Sequence, residues 1–301
     1  MATVEARRRF DPRLIASLAA VYVIWGSTYL GMRIAIHDIP PLFMACARFT
    51  TAGVVLFIVA ILRGSPRPVA RDWRQIAPIG TLLFLGGNGF IAIAQGSIPS
   101  GGTAVVAAMM PLWIGILGLV FRERPTRREW ISLVIGFAGI LVLARGPSLA
   151  GEPLHIVLVL LAPLSWAFGS LLARRLTSEV SKDPWMLPAM EMITGGIIMG
   201  AVGVLHGERI PTNVGLHAGL AFAYLWLFGS FIAFTAYSWL LRNTRPVVAT
   251  SYAYVNPGIA VLLGSLLYDE PLGPTTIIAN VLMVIAVWLA LSKARVRPVV
   301  K

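Results

Sequence analysis

The stretch MMPLWIGILGLVFRERP, residues 109–125, decides the fold because it recurs later in the chain as VNPGIAVLLGSLLYDEP, residues 255–271. At one constant offset, Pro111 aligns with Pro257 and Pro125 aligns with Pro271, and no gap is needed. A match at a long fixed spacing is typical of an internal repeat. The chain is therefore predicted to consist of two related halves.

Two further matches extend the repeat toward the front of each half. WGSTYLGMR, which starts at Trp25, matches WAFGSLLAR, which starts at Trp166. RFTTAG, which starts at Arg48, matches EMITGG, which starts at Glu191, and this match is the weaker one. We place the first repeat at residues 1–146 and the second at residues 147–301.

The composition predicts that lipid surrounds most of both halves. Apolar residues make up 57% of the 301 residues, charged residues make up 13%, and the mean hydropathy is +0.79. About 20 apolar residues span a hydrocarbon layer of roughly 30 Å, and backbone amides in lipid must bond within a helix. We therefore expect an all-α membrane protein of ten spans, near residues 14–36, 39–62, 76–96, 101–121, 128–145, 154–173, 185–205, 217–241, 247–268 and 274–292.

The basic residues predict the orientation of these spans. With the N-terminus in the cytoplasm, 21 of the 25 Lys and Arg residues fall in cytoplasmic segments. Arg145 and Arg209 fall outside, and Arg33 and Arg48 fall within spans. The positive-inside rule then places both termini in the cytoplasm, and the net charge of +12 does not indicate nucleic-acid binding. A signal peptide is the rival interpretation of Arg7–Arg9 and the apolar run behind them, but nine more spans follow.

Five spans in each half make the second repeat start on the opposite side of the membrane from the first. Inverted repeats of this kind are typical of secondary transporters, in which the substrate binds near the midplane between the halves. The alternative is a gene duplication in a membrane protein that transports nothing.

The chain resembles the EamA branch of the drug/metabolite transporter superfamily over essentially its whole length. The resemblance rests on WGSTY at residue 25, Arg48, PLWIGILGLVFRERPT at residue 111, and NPGIAVLLGSLLYDEPL at residue 256. It implies export of small metabolites by alternating access across a bacterial inner membrane. Similarity to YddG-type exporters implies aromatic and other amino acids as substrates. One departure is that Glu270 follows Pro257 by thirteen positions, whereas Arg124 occupies the matching position after Pro111.

The two recurring prolines indicate where the substrate site lies. Proline-interrupted spans at matching positions in two halves are the best sequence indicator of a transporter site. Pro111 and Pro257 are each ten residues into their predicted spans, which is about 15 Å deep at 1.5 Å per residue. We therefore predict helix breaks at both prolines. A kink that serves packing alone is the alternative.

Polar and aromatic residues at similar depth are the candidate substrate contacts. Tryptophan in membrane proteins normally gathers at the interfaces, so a tryptophan at the midplane needs another reason, such as stacking on a ligand. Asn88 is surrounded by glycines that permit close approach, and Tyr252 and Asn256 share a helix face. Helix packing is the alternative role for each residue. The predicted substrate-binding residues are Trp25, Asn88, Met110, Trp166, Tyr252 and Asn256, with Tyr237 nearer the cytoplasmic gate.

Two charged residues inside spans are candidates for energy coupling. Arg48 and Glu191 would each cost about 2.5 to 3.5 kcal/mol at the centre of a helix, which makes a functional role the first hypothesis. Their depths differ by about 9 Å, so a direct pair between them does not follow. Snorkelling or structural capping is the alternative.

Other sequence patterns limit the function. The histidines have no spacing suited to a metal site, and no Gly-Lys dipeptide exists for an ATPase phosphate loop, so we expect no cofactor and no metal. An intramembrane enzyme would need a nucleophile and base at one depth, which the sequence does not show. The remaining alternatives are a multidrug or other metabolite carrier of the same fold and, more remotely, a lipid scramblase or scaffold. The expected partners are a small-molecule substrate and the bilayer, with a monomer as the sufficient unit.

Reporter fusions test the orientation. Alkaline phosphatase is active only outside the cytoplasm, so a fusion after Lys301 should be inactive while a green fluorescent protein fusion at the same site should fluoresce. A fusion after Arg209, in a predicted outer loop, is the matched control and should be active. High phosphatase activity at the C-terminus would contradict the prediction.

Overall fold

A computed structural model describes residues 11–98, 100–143, 152–268 and 274–291. Within these ranges the chain is helical and contains no β-strand. Several residues that the sequence analysis used lie outside the described residues, namely Arg7–Arg9, Arg145, Glu270, Pro271 and the basic tail from Lys293 onward.

Ten helical segments occupy the ten predicted windows within the described ranges. Seven are long and apolar enough to cross a membrane, while the fifth, ninth and tenth have 17 or 18 residues, so the ten-span count stays a prediction. The segments are α1 (Pro12–Ala35), α2 (Pro41–Leu62), α3 (Ala70–Ala94), α4 (Ser100–Ala107 and Met110–Val120), α5 (Arg127–Leu143), α6 (Pro153–Ala173), α7 (Met186–Leu205), α8 (Leu216–Asn243), α9 (Tyr252–Tyr268) and α10 (Pro274–Leu291).

Helix termini follow from local capping as well as from hydrophobicity. The helix α3 begins six residues before its predicted start, because the Asp72 carboxylate accepts a hydrogen bond from the Val69 backbone N–H at 2.9 Å. A capping box starts α5: Thr126 N–H donates to the Glu129 carboxylate, and Glu129 N–H donates back to the Thr126 hydroxyl. Polar residues thus start helices before the apolar stretch begins.

The predicted break at Pro111 is present, because α4 is interrupted at Ala108–Met109 and resumes with Pro111 in the first turn of its second part. The predicted break at Pro257 is wrong in position, since α9 continues through this proline. The interruption lies instead at Thr250–Ser251, between α9 and a short helical turn at Pro246–Ala249.

The hydroxyl groups at Thr250 and Ser251 explain the break before α9. Thr250 Oγ1 donates to the Pro246 carbonyl at 2.9 Å, and Ser251 Oγ donates to the Val248 carbonyl at 2.7 Å. Side chains that bond to nearby carbonyls compete with the helical backbone for the same acceptors. Pro257 itself removes only one backbone donor within an otherwise bonded helix.

Two π-helical segments were not predicted. Thr81–Gly89 lies in the middle of α3, and Leu225–Ile232 lies in the middle of α8. These are the third helix of each half, so the irregularity occurs at corresponding places in the two repeats. Wide turns of this kind are frequent at functional sites.

The main contacts between helices join the first half of the chain to the second. The most extensive contacts join α2 to α7 and α5 to α10, which are corresponding helices of the two halves. The other contacts come in reciprocal sets: α1 packs on α9 as α6 packs on α4, and α1 packs on α8 as α6 packs on α3. Two halves related by a two-fold axis would make contacts in this pattern.

Glycines let α2 and α7 approach closely. A Cβ atom at Gly53 would lie 2.9 Å from both the Ala189 carbonyl oxygen and the Ile193 nitrogen, and one at Gly196 would lie 2.8 Å from the Thr50 nitrogen. Backbone atoms cannot move aside as a flexible side chain can. The small residues of α7 therefore serve packing between the two halves within one chain.

The Gly53→Ala variant should therefore be less stable than the parent protein. Overpacking of this kind costs about 1–3 kcal/mol, which corresponds to a melting temperature lower by a few degrees. Fluorescence-detected thermal unfolding of the detergent-solubilised protein measures this. Gly219→Ala is the control, because nothing lies within 4 Å of a Cβ there and its melting temperature should stay the same or rise. Equal melting temperatures in both variants would contradict the packing role.

Candidate functional site

A cavity lies between the two halves, and we call it the central cavity. It encloses about 570 Å³ of space between atoms, part of which is open to solvent. Six helices contribute to its wall: α1, α2, α3 and α4 from the first half, and α6 and α9 from the second. The lining residues are Trp25, Thr28, Tyr29, Met32, Arg48, Gly87, Asn88, Ile91, Ala107, Met110, Ala162, Pro163, Trp166, Tyr252 and Asn256.

The structure brings together most of the residues that the sequence analysis selected for the substrate site. Trp25, Asn88, Met110, Trp166, Tyr252 and Asn256 all line the central cavity. Arg48, which was selected for coupling, lines it as well. Tyr237 does not, and lies behind the wall.

We call Trp25, Trp166, Tyr237 and Tyr252 the aromatic layer, because their side chains contact one another in a continuous group. Trp25, Trp166 and Tyr252 line the central cavity, and Tyr237 packs behind them. The rings of Trp25 and Trp166, which correspond in the two repeats, meet edge to face with centroids 5.6 Å apart. Tyr252 lies 4.6 Å from the Trp25 ring and 5.7 Å from the Tyr237 ring, again edge to face. Edge-to-face pairs at these distances stabilise one another beyond simple burial.

Hydrogen bonds hold the aromatic layer in position. Trp25 Nε1 donates to the Gly229 carbonyl at 3.0 Å, inside the π-helical segment of α8. Trp166 Nε1 donates to the Tyr237 hydroxyl at 3.0 Å, and this hydroxyl shares a second bond of 2.6 Å with Ser170 Oγ. Both indole N–H groups are therefore satisfied by protein, which leaves the ring faces for packing or for a ligand.

Gly87 explains how Trp166 reaches this position. A Cβ atom at Gly87 would collide with the Trp166 ring, so only glycine lets α3 pass this close to α6. The glycines around Asn88 were interpreted as permitting close approach, and the structure shows that the approaching group at Gly87 is Trp166.

Unpartnered polar atoms face the central cavity from both halves. Arg48 is 3% exposed, and its Nη2 donates a long hydrogen bond of 3.4 Å to Asn88 Oδ1. Its Nε and Nη1 atoms have no hydrogen-bond partner in the part of the chain that the structure describes. Asn256 is 2% exposed, and its Oδ1 atom is likewise without a described partner.

Glu191 lies in a separate, smaller cavity on the far side of the aromatic layer, and we call this the Glu191 cavity. Tyr237, Ser238 and Arg242 line it together with apolar side chains. Glu191 is 2% exposed, and its Oε1 has no hydrogen-bond partner among the described residues. Arg48 and Glu191 therefore belong to different cavities and form no ion pair with each other.

Two ion pairs join the halves at the end of the bundle beyond the Glu191 cavity. Arg174, at the end of α6, lies 3.2 Å from Glu123 and also donates to the Thr244 carbonyl at 3.0 Å. Arg245 holds Glu129 with two bonds, of 2.5 Å and 2.8 Å, and this carboxylate raises the pKa of the Arg245 guanidinium. At the opposite end, Arg33, the repeat counterpart of Arg174, is exposed.

Sequence reasoning missed several lining residues. Thr28, Tyr29 and Met32 follow Trp25 by three, four and seven positions, which is the spacing of one helix face, so the choice of Trp25 could have led to them. Pro163 precedes Trp166 by three positions on the same face of α6. The described residues include no group of three or more His, Cys, Asp or Glu side chains that could hold a metal ion.

Comparison with known proteins gives matches over nearly the whole chain. The sequence profile of the EamA-like transporter family matches twice, at residues 13–145 and 153–292. The chain is 40% identical over 296 residues to the "Uncharacterized inner membrane transporter YedA" of Escherichia coli strain K12, with 96% of each chain covered. It is 26% identical to "Protein PecM" of Dickeya dadantii over 86% of this chain and 85% of PecM.

A solved crystal structure shares the fold. It superposes with a TM-score of 0.74 over 93% of this chain and 97% of the other, at 20% sequence identity. At this identity the likeness concerns the fold alone.

Proposed function

The chain belongs to the EamA-like transporter family, and from this premise we propose that it is a secondary transporter that exports small organic metabolites, foremost amino acids, across the bacterial inner membrane. The central cavity carries the proposal, because residues of both halves build its wall and three members of the aromatic layer line it. The inner-membrane location follows the relative YedA, whose name places it there. In this proposal the substrate binds at Trp25, Asn88, Met110, Trp166, Tyr252 and Asn256.

Two observations support an arrangement of the halves as inverted repeats. The family profile matches the chain once in each half, and each match contains five of the ten helices. An odd number of spans in each half inverts the second relative to the first. The reciprocal contacts of corresponding helices agree with a two-fold axis in the membrane plane.

The unequal ends of the bundle support the proposal of alternating access. Arg174 is bound to Glu123 at the end beyond the aromatic layer, whereas its repeat counterpart Arg33 is exposed at the other end. With the N-terminus in the cytoplasm, the described state has its cytoplasmic side closed. If Arg174 became exposed and Arg33 became bound to the other half, the cavity would open to the cytoplasm, where an exporter loads its substrate.

The choice between amino acids and drugs concerns the substrate of the same carrier. The resemblance to YddG-type exporters and the polar atoms of Arg48 and Asn256 favour amino acids. Met32 and Met110 beside the aromatic layer favour the alternative of a multidrug carrier, because flexible thioether side chains adapt to varied apolar ligands.

Counterflow in proteoliposomes tests the function and the site together. The wild-type protein should exchange external labelled tryptophan and threonine for the same unlabelled solute inside. The Trp166→Ala variant should slow tryptophan more than threonine, because only tryptophan loses an aromatic partner, by about 0.5 to 1.5 kcal/mol or roughly twofold to tenfold. Asn256→Ala should slow both solutes.

Trp288→Ala is the matched control for Trp166→Ala, because this tryptophan of α10 is 67% exposed and lies away from the cavity. Its counterflow should equal that of the parent at matched amounts of folded protein. Equal proportional losses for both solutes in Trp166→Ala would remove this residue from the site. Absence of counterflow for every solute tried would reject the transport function.

Glu191 is proposed as the proton site that couples transport to the pH gradient. Its carboxyl group can gain or lose a proton, and the groups that face it are Tyr237 and Arg242, with Asp183 close enough to act on Arg242. Tyr237 also bonds to Trp166, so it connects the Glu191 cavity to the wall of the substrate site.

A pH gradient across proteoliposomes tests this coupling. With acid inside, proton exit should drive accumulation of external tryptophan by the wild-type protein. Glu191→Gln should lose the accumulation and keep counterflow, which needs no net proton movement. Glu152→Gln, an exposed glutamate before α6, should accumulate tryptophan as the parent does. Accumulation by Glu191→Gln, or none by the wild type, would contradict the role of Glu191.

A further inference from the structure

We propose that Arg48 binds the carboxylate of the transported solute and so restricts the carrier to zwitterions and organic acids. This inference rests on the proposed transport function. Arg48 lines the central cavity, is almost fully buried, and forms no salt bridge with any residue that the structure describes. Two of its guanidinium nitrogens, Nε and Nη1, lack a described hydrogen-bond partner.

A buried cation without a counterion is costly, and this cost favours an anionic ligand. Removing an ion from water carries a penalty of several kcal/mol that only a well-placed partner offsets. The protein supplies two weaker substitutes. The Phe49 ring lies 4.0 Å from Arg48 Cζ, and Asn88 Oδ1 accepts from Nη2 at 3.4 Å. Neither carries a negative charge, so the guanidinium remains available to a carboxylate.

The remaining groups of the cavity complement the rest of an amino acid. From the second half, Asn256 presents an acceptor oxygen without a partner in the described part of the chain, which suits the hydrogens of an ammonium group. The faces of Trp25 and Trp166 suit the side chain and can also attract the ammonium charge. The free donors on one side and the free acceptor on the other match the two charges of a zwitterion.

The same arrangement disfavours a cation without a carboxylate. Such a solute would bring a second positive charge into a cavity that already holds Arg48, at low dielectric where like charges repel strongly. A multidrug carrier for amines would have the opposite preference. The charge of Arg48 thus separates the two candidate substrate classes.

Competition against labelled tryptophan tests the inference with three compounds that share an indole ring. Indole-3-propionate keeps the carboxylate and lacks the ammonium, tryptamine keeps the ammonium and lacks the carboxylate, and tryptophan has both. On the wild-type protein, tryptophan and indole-3-propionate should compete, while tryptamine should be at least about tenfold weaker, the size expected for a lost hydrogen bond to a charged group.

The variant Arg48→Gln should raise the half-inhibitory concentrations of tryptophan and indole-3-propionate about tenfold or more, and leave that of tryptamine equal or lower. Arg67→Gln makes the same change at an exposed site in the loop between α2 and α3 and should leave all three unchanged. Asn256→Ala should weaken tryptophan and spare indole-3-propionate. Equal weakening of all three compounds by Arg48→Gln would overturn the carboxylate role and indicate a structural one.

The variant Asn88→Asp keeps the test decisive if Arg48→Gln does not fold. It places a carboxylate of the same shape beside Arg48 Nη2, so the guanidinium gains an internal counterion and the protein keeps its packing. It should lose tryptophan binding and retain tryptamine binding, measured as ligand-induced thermal stabilisation in detergent. Unchanged tryptophan binding in this variant would overturn the inference.

The outcomes also separate this inference from the proposed function. If the wild-type protein transports tryptamine in preference to tryptophan, the carrier function stands and the carboxylate site is rejected. If the wild-type protein neither transports nor is stabilised by any of the three compounds, the proposed amino-acid carrier is rejected and the carboxylate site with it.

Discussion

The constraint on which the rest of this structure depends is that a chain in lipid must satisfy its backbone hydrogen bonds within itself. This constraint makes every described segment helical and allows irregular backbone only where protein or a cavity covers it. The observed irregularities obey it. The break at Ala108–Met109 and the π-helical segment Thr81–Gly89 both adjoin lining residues of the central cavity, and the break at Thr250–Ser251 comes directly before Tyr252. Irregular backbone, which lipid excludes elsewhere, therefore occurs next to the candidate site.

Burying polar groups in such a protein costs free energy. Their positions divide the molecule into three levels. Atoms of Arg48 and Asn256 that have no partner among the described residues face the central cavity, whereas the indole N–H groups of the aromatic layer are bonded to protein. Beyond the layer, Glu191 occupies its own cavity, and the ion pairs of Arg174 and Arg245 join the halves at the end of the bundle. Under the proposed function, a solute site, a proton site and a gate would follow one another along the bundle. Tyr237 connects the first two through its bond to Trp166.

Corresponding helices of the two halves make reciprocal contacts but differ in detail, and the differences fit the proposed carrier function. Trp25 and Trp166 correspond in the repeats and meet in the aromatic layer, yet Trp25 bonds to a carbonyl while Trp166 bonds to a tyrosine. Arg33 and Arg174 also correspond, and only Arg174 lies buried against the other half. A perfectly symmetric pair of halves would close both ends or neither. In the proposed carrier, unequal use of equivalent residues would let one end close while the other stays accessible.

The sequence by itself determined the helical class, most helix boundaries to within a few residues, the sequence repeat, and seven of the fifteen lining residues of the central cavity. It could do so because burial in lipid demands long apolar runs, and because depth along a helix follows from residue count alone. Depth alone does not give the rotation of each helix about its axis, so Thr28, Tyr29 and Met32 were missed beside Trp25. The break before α9 was predicted six residues late, at Pro257, because it depends on the hydroxyl–carbonyl bonds of Thr250 and Ser251. Only the tertiary structure decided that Arg48 and Glu191 face different cavities, because their partners come from other helices. The π-helical segments, the aromatic layer and the inter-half ion pairs depend likewise on contacts between residues far apart in the chain, and no local pattern encodes which helix packs against which.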